Sequence, residues 1–351
     1  MGNLAAIAFM IISIAYTEVS LASSSVSTNE TQKPSLQLSH PNVTAVKILP
    51  SATDLAIKTF DLPHSIYVNR EIIVDHKEEL TRDRHELLLW ITGTHMPGTT
   101  NATGASAFCM LAADLGYHVI ALMYPNDKAA ATVRNVKDPD AFEEFRMAII
   151  RGGQTPYIAI EQCESIESRL LKMLLHLKSI RPREHWEQFL DEDGSIKWKA
   201  IAVAGHSQGG GHAALIGIKH KVARVICTGS PKDFNQARRA PAAWYHETSA
   251  TPKQRFFTFN HRQDSMGFTT PGQWMENLHA LGLDAFGSPV DVDKETTPYQ
   301  HSRILLTGFP SVTITSPESE GSLAAHVSVI ANKNATRWEQ VWTYMLTEKI
   351  R

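Results

Sequence analysis

Gly205-His206-Ser207-Gln208-Gly209 follows a short apolar run, Ala200-Ile201-Ala202-Val203-Ala204, and opens a run of small residues that continues through Gly210, Gly211 and Ala213 to Ile218. The first run predicts a buried strand and the second the start of a helix packed close to it. A turn this sharp between strand and helix strains the backbone of the residue at its tip toward positive φ, and it leaves no room for side chains where the helix passes the strand. Glycine at 205 and 209 meets that demand and lifts the Ser207 hydroxyl to the crest. The plainer reading is a glycine-rich turn with an idle serine. What weighs against it is the order Ser, Asp, His further along the chain.

Arg255-Phe256-Phe257-Thr258-Phe259-Asn260 is a β-branched and aromatic run that gives way to His261-Arg262-Gln263-Asp264 before Pro271 starts a helical pattern. Asp264 is thereby expected on a loop at the carboxyl end of a strand, where a doubly wound sheet presents its functional side chains. Asp233, in the loop after Val222 to Thr228, is the main competitor, with Asp284, Asp291 and Asp293 behind it. Among sixteen histidines, position selects His326. After two strand-like runs, Arg303–Thr307 and Ser311–Thr315, a loop containing Gly321-Ser322 leads to Ala324–Val329, so His326 falls between the final strand and a last helix from about Ala335 to Ile350. His206 adjoins the serine, but neighbours on a tight turn diverge, so it reads as a packing residue. His261 and His301 are the remaining candidates for the base.

The chain resembles the α/β-hydrolase superfamily, of the kind with a lipase-like Gly-His-Ser-Gln-Gly-Gly elbow, from about residue 55 to the end. His85 to Ile91 resembles the family's third strand and Tyr117 to Tyr124 its fourth. Thr92-Gly93-Thr94-His95-Met96-Pro97-Gly98 stands where members often carry His-Gly-x, with Thr92 in place of the usual histidine. The resemblance implies a mostly parallel central sheet of about eight strands flanked by helices, with a small cap insertion. It also implies a serine hydrolase that cleaves carboxylic esters through an acyl-enzyme, with Ser207 as nucleophile, His326 as base and Asp264 as its orienting acid. By the same analogy the backbone amides of Gln208 and Thr94 form the oxyanion hole. The polar stretch Ser230 to Lys253, with Trp244 and Tyr245, is either such a cap or a surface excursion whose aromatics are buried locally. A peptidase or amidase on the same triad is the competing activity, and a non-catalytic binding protein on the same scaffold the competing reading of another class.

With 351 residues, 43% of them hydrophobic and 20% charged, the chain can form one large catalytic domain, expected over residues 53–351. A net charge of -2 leaves no footprint for nucleic acid. Without His-Glu-x-x-His, Cys-x-x-Cys or a P-loop, the motifs call for no metal and no cofactor. The expected partner is a small-molecule or lipid ester, and nothing specifies an oligomeric state. Leu4 to Tyr16 is an apolar run of signal-peptide length, followed by small residues that suit cleavage after Ala22, so a secreted protein is expected. The run is too short for a stable membrane span. Ser23 to about Ser51 reads as a flexible leader. Sequons begin at Asn29, Asn42, Asn101 and Asn334, which export would make glycosylation candidates. Cys109, Cys163 and Cys227 are too few for a disulfide framework, and Cys163 and Cys227 read as core residues. A histidine base with an unperturbed value near 6.5 implies activity that falls below about pH 6.

Overall fold

Apolar runs bounded by polar turns become nine strands of one sheet in the computed structural model, which describes residues 40–73, 83–94 and 105–349. They are β1 (Val43–Ile48), β2 (His64–Asn69), β3 (Leu87–Ile91), β4 (His118–Leu122), β5 (Ile201–His206), β6 (Arg224–Thr228), β7 (Phe256–His261), β8 (Val290–Asp291) and β9 (Ile304–Thr307). Their order across the sheet is β1-β2-β4-β3-β5-β6-β7-β9-β8. The two pairings that involve β2 are antiparallel and all the others parallel. This is the α/β-hydrolase fold, with nine strands among the described residues where about eight are expected.

Both faces of the sheet are covered, which is why its central strands read as unbroken apolar runs rather than as alternating ones. Successive side chains still go to opposite sides. Leu87, Leu89 and Ile91 of β3 join the core under α2 (Ala141–Arg151), α3 (Ile166–Ile180), α4 (Gln208–Lys219) and α5 (Pro271–Ala280). Leu88 and Trp90 join the opposite core, with α1 (Ser106–Asp114) and the last helix, α7 (Ala335–Thr347). There Phe108 packs between Trp90 and Trp342, at ring-centroid distances of 5.2 and 5.7 Å.

Three expectations change. The flexible leader is expected to reach about Ser51, but Val43–Ile48 is an edge strand on β2, consistent with its β-branched Val43, Thr44, Val46 and Ile48. Ser311–Thr315 is not a strand. His326 lies between the last strand and the last helix, as expected, within a helix of its own, α6 (Glu320–Ser328), which Ser319 caps by accepting from the Ser322 amide. Cys163 precedes α3 in a short turn and is partly exposed, apart from the buried apolar residues of that helix, Ile166, Leu170, Met173, Leu174 and Leu177. Cys227 is buried in β6, as expected.

The excursion from Ser230 to Lys253 stays against the body. Trp244 and Tyr245 are buried, and both bind Asp233: the indole N–H donates to Oδ2 at 3.1 Å, and the phenol oxygen accepts from the Asp233 amide at 3.0 Å. Its aromatics thus serve local packing.

Candidate active site

The parallel register aligns the carboxyl ends of β5, β6 and β7. Gly205 pairs across from Ile91, His206 from Thr228, and Thr228 from Phe259. The residues that follow each strand, Ser207, Gly229 to Lys232, and Arg262 to Asp264, therefore converge on one edge of the sheet.

Ser207 stands between β5 and α4 with φ 55° and ψ -122°, a region that L-residues rarely adopt. Its amide donates to the Thr228 carbonyl at 2.9 Å, and its carbonyl accepts from Gly211 at 3.2 Å, so the strained turn is held from both sides. The glycines around it are obligatory. A Cβ on Gly205 would lie 2.7 Å from the Gly210 nitrogen, and one on Gly209 would lie 2.6 Å from the Ile91 carbonyl carbon. Arg146 of α2 steadies the first turn of the helix by donating to the Gln208 carbonyl at 2.9 Å.

Asp264 is fully buried and accepts from His326 Nδ1 at 2.8 Å on Oδ2. Its Oδ1 takes the Met266 amide at 3.1 Å and the Lys232 ammonium. Burial alone would raise this carboxyl's pKa, but the His326 and Lys232 charges and hydrogen bonds prevail and hold it well below the usual carboxylate range. His326 is displaced by burial, which disfavours its cation; the Asp264 charge favours that cation, Lys232 opposes it, and the net result is a lowered pKa. Its ring packs on His206 at 4.6 Å between centroids, directly beside the serine in sequence. A Cβ on Gly229, the residue after the carbonyl that binds the Ser207 amide, would meet His326 Nδ1 at 3.1 Å. Among the described residues no hydrogen bond joins His326 Nε2 to the Ser207 hydroxyl. With Nδ1 committed to Asp264, Nε2 is the nitrogen left to take a proton.

The competing residues are engaged elsewhere. Asp233 forms a buried pair with Arg146, whose Nε and Nη2 both donate to it at 2.5 Å. Asp291 pairs with Arg262, and Asp293 with Arg337, each at 3.0 Å. Asp284 lies in a short helical turn after α5. His261 Nε2 binds the Pro310 carbonyl, and His301 binds Glu348.

The loop after β3 lies against the elbow: a Cβ on Gly93 would meet Ser207 Cβ at 3.1 Å and Oγ at 3.7 Å. Three side chains hold this loop. Tyr124 donates to the Thr92 carbonyl and Asn126 to the Gly93 carbonyl, both at 2.8 Å, while the Gln208 side chain accepts from Thr94 Oγ1 at 3.4 Å. Gln208 also binds the Ala130 amide at 2.7 Å and the Lys128 carbonyl at 3.0 Å. Thr94 and Gln208 are thus neighbours through their side chains, on the two segments that flank the serine. His95 to Gly98 of the same motif lie outside the described residues.

Sequence reasoning misses Lys232, Tyr124 and Asn126. The only signal for them is position, since each closely follows the carboxyl end of a strand of the sheet. For Lys232 the adjacent Asp233 suggests an ordinary solvated pair.

No family model and no curated protein matches the sequence. Solved structures of similar outline include a bacterial heroin esterase, with TM-score 0.40, 15% identity and coverage of 89% of this chain and 87% of that one. The siderophore hydrolase EstB from Aspergillus nidulans gives 0.38 and 13%, covering 88% and 96%. Esterase B from Lactobacillus rhamnosis gives 0.37 and 12%, covering 87% and 90%. The strand order and register, rather than these distant likenesses, define the fold.

Proposed function

We propose that the protein is a serine hydrolase that cleaves carboxylic esters of small molecules or lipids through an acyl-enzyme. The observation that carries this reading is the convergence of a strained serine, a histidine and a buried carboxylate from three distant parts of the chain, with the carboxylate already on the histidine's far nitrogen. A neutral hydroxyl is a weak nucleophile, so Ser207 attacks the ester carbonyl as His326 Nε2 takes its proton. Asp264 fixes the tautomer that leaves Nε2 unprotonated and stabilises the imidazolium once it forms. Contacts of this kind tighten when substrate closes the site, which suits the lack of a hydrogen bond between Ser207 and His326 among the described residues. The oxygen charge of the tetrahedral intermediate is taken by the amides of Gln208 and Thr94, and the N-terminal end of α4 adds its positive dipole. His326 then returns the proton to the leaving alcohol, and water repeats the sequence to free the acid.

Replacing Ser207 by alanine tests this reading. The rate on short nitrophenyl esters should fall by about four to six orders of magnitude if the three residues act as a unit. A folded variant with undiminished turnover would place the chemistry elsewhere. A series of esters of rising chain length, set beside peptide amides, then decides between esterase and amidase. For localisation, the reading is secretion with removal of Met1 to Ala22, and an amino terminus of the exported protein at Ser23 is the expected result.

A further inference from the structure

Lys232 has no part in the chemistry described above, yet its ammonium occupies the heart of the site. It is bonded to Asp264 Oδ1, donates to the Met266 carbonyl at 3.1 Å and lies 3.5 Å from His326 Nδ1. Only 13% of its side chain is exposed, and Asp264 is fully buried. Adjacent strands explain the meeting: Lys232 follows β6 and Asp264 follows β7, and the two run parallel in register. The carboxylate that must orient and stabilise the imidazolium is therefore shared with a second cation, whose pKa burial lowers and Asp264 raises.

We propose that Lys232 is a positioning residue of this site, whose ammonium locks the rotation of the Asp264 carboxylate and opposes protonation of His326, so that the imidazole stays in its base form in mildly acidic medium. The inference rests on the serine hydrolase reading for its consequence in turnover, but not for its effect on His326. The lock follows from geometry. With Oδ1 held by Lys232 and by the Met266 amide, only Oδ2 is left to face Nδ1. The opposition follows from charge, because a like charge at this range disfavours a second cation. Other groups facing His326 do not supply that effect. His206, at the end of β5, is kept neutral, first by burial and then by His326 itself. Arg262, on the Asp264 loop, is paired with Asp291 at 3.0 Å. On the histidine's own helix, Glu320 is exposed in the first turn, and Ser322 shares a hydrogen bond with Ser265. Asp264 is the one anion in contact with the ring, and Lys232 the one cation, among the described residues.

The experiment compares the full chain with K232M, K232Q and K232R. It follows the acid limb of kcat/KM on a short nitrophenyl ester, the thermal midpoint, and the titration of His326 by nitrogen NMR of histidine-labelled protein, assigned by difference from H326Q. The two neutral variants should shift the limb and the His326 titration upward together by about one pH unit, and K232R should keep both near wild type. K232Q still offers Asp264 a hydrogen bond, so a shift in K232Q as well as K232M assigns the effect to charge. K232Q also serves if K232M does not fold. Neutral variants that fold and titrate as wild type does would overturn the proposal. Failure of the hydrolase reading would look different: wild type would lack turnover, while the NMR titration would still report on Lys232.

Discussion

Asp264→Asn removes one charge from a site where an ammonium and an imidazole both depend on it, and it should therefore damage both rate and stability. Asparagine keeps the shape but offers only one acceptor oxygen. If that oxygen faces His326 Nδ1, the amide N–H groups point at the Lys232 ammonium; if it faces Lys232, they point at Nδ1 and force the tautomer that protonates Nε2. The first arrangement leaves donors facing donors at a fully buried position, and the second takes away the free nitrogen that must accept the serine proton. The catalytic cost in the analogous acid-to-amide change is about four orders of magnitude in kcat. The structural cost is that of leaving a buried ammonium unpaired, about 3 to 5 kcal/mol. Initial rates on a nitrophenyl ester near pH 8, together with denaturant unfolding, measure the two separately. Adding K232M to D264N should recover most of the stability, because the uncompensated cation is gone, while the rate stays low. Near-normal turnover in folded D264N would refute the role of Asp264, and a double variant no more stable than D264N would refute the charge argument.

Other outcomes follow from the same geometry. Asp233→Asn breaks the buried pair with Arg146 and should cost about 3 to 5 kcal/mol of stability while sparing the rate per folded molecule, which separates this residue from Asp264. Gly209→Ala drives a Cβ into the Ile91 and Thr92 carbonyls and should destabilise by about 3 kcal/mol or more, seen as loss of soluble, cooperatively melting protein. Gln208→Ala strips the Ala130 amide and the Lys128 carbonyl of their partner and loosens the loop beside Ser207. About 1 to 3 kcal/mol of stability should go, with a fall in kcat that exceeds any change in KM. In the wild type, the base must be neutral and its pKa is lowered by burial and by Lys232, so activity should fall as pH drops, with the midpoint below the ordinary histidine value near 6.5. A midpoint above that value would contradict the environment described for His326.

The legible parts of the sequence are those set by local sterics. Gly205, Gly209 and the apolar run before them announce a strand, a strained turn and a helix because only those residues fit the close approach of α4 to β3. Asp264 is readable because a β-branched and aromatic run marks β7 and the polar run marks its end. The place of His326 between β9 and α7 is legible, but its helix is not, because Ser319 to Ser328 is rich in serine and alanine and short of a strong apolar period. The edge strand Val43–Ile48 is hidden by the Ser- and Asn-rich stretch before it, since an edge strand with one wet face needs few apolar residues. Lys232 cannot be assigned from sequence, because which of Lys232 and Asp233 turns toward His326 depends on the partners that β7 and α2 supply, Asp264 for one and Arg146 for the other.

The most direct test of the central claim is treatment of the full-length protein with a fluorophosphonate, followed by peptide mass mapping. A single covalent adduct on the peptide that carries Ser207, abolished in S207A and slowed in D264N, is the expected result. A folded protein that acquires no adduct, or acquires it on another serine, would contradict the assignment.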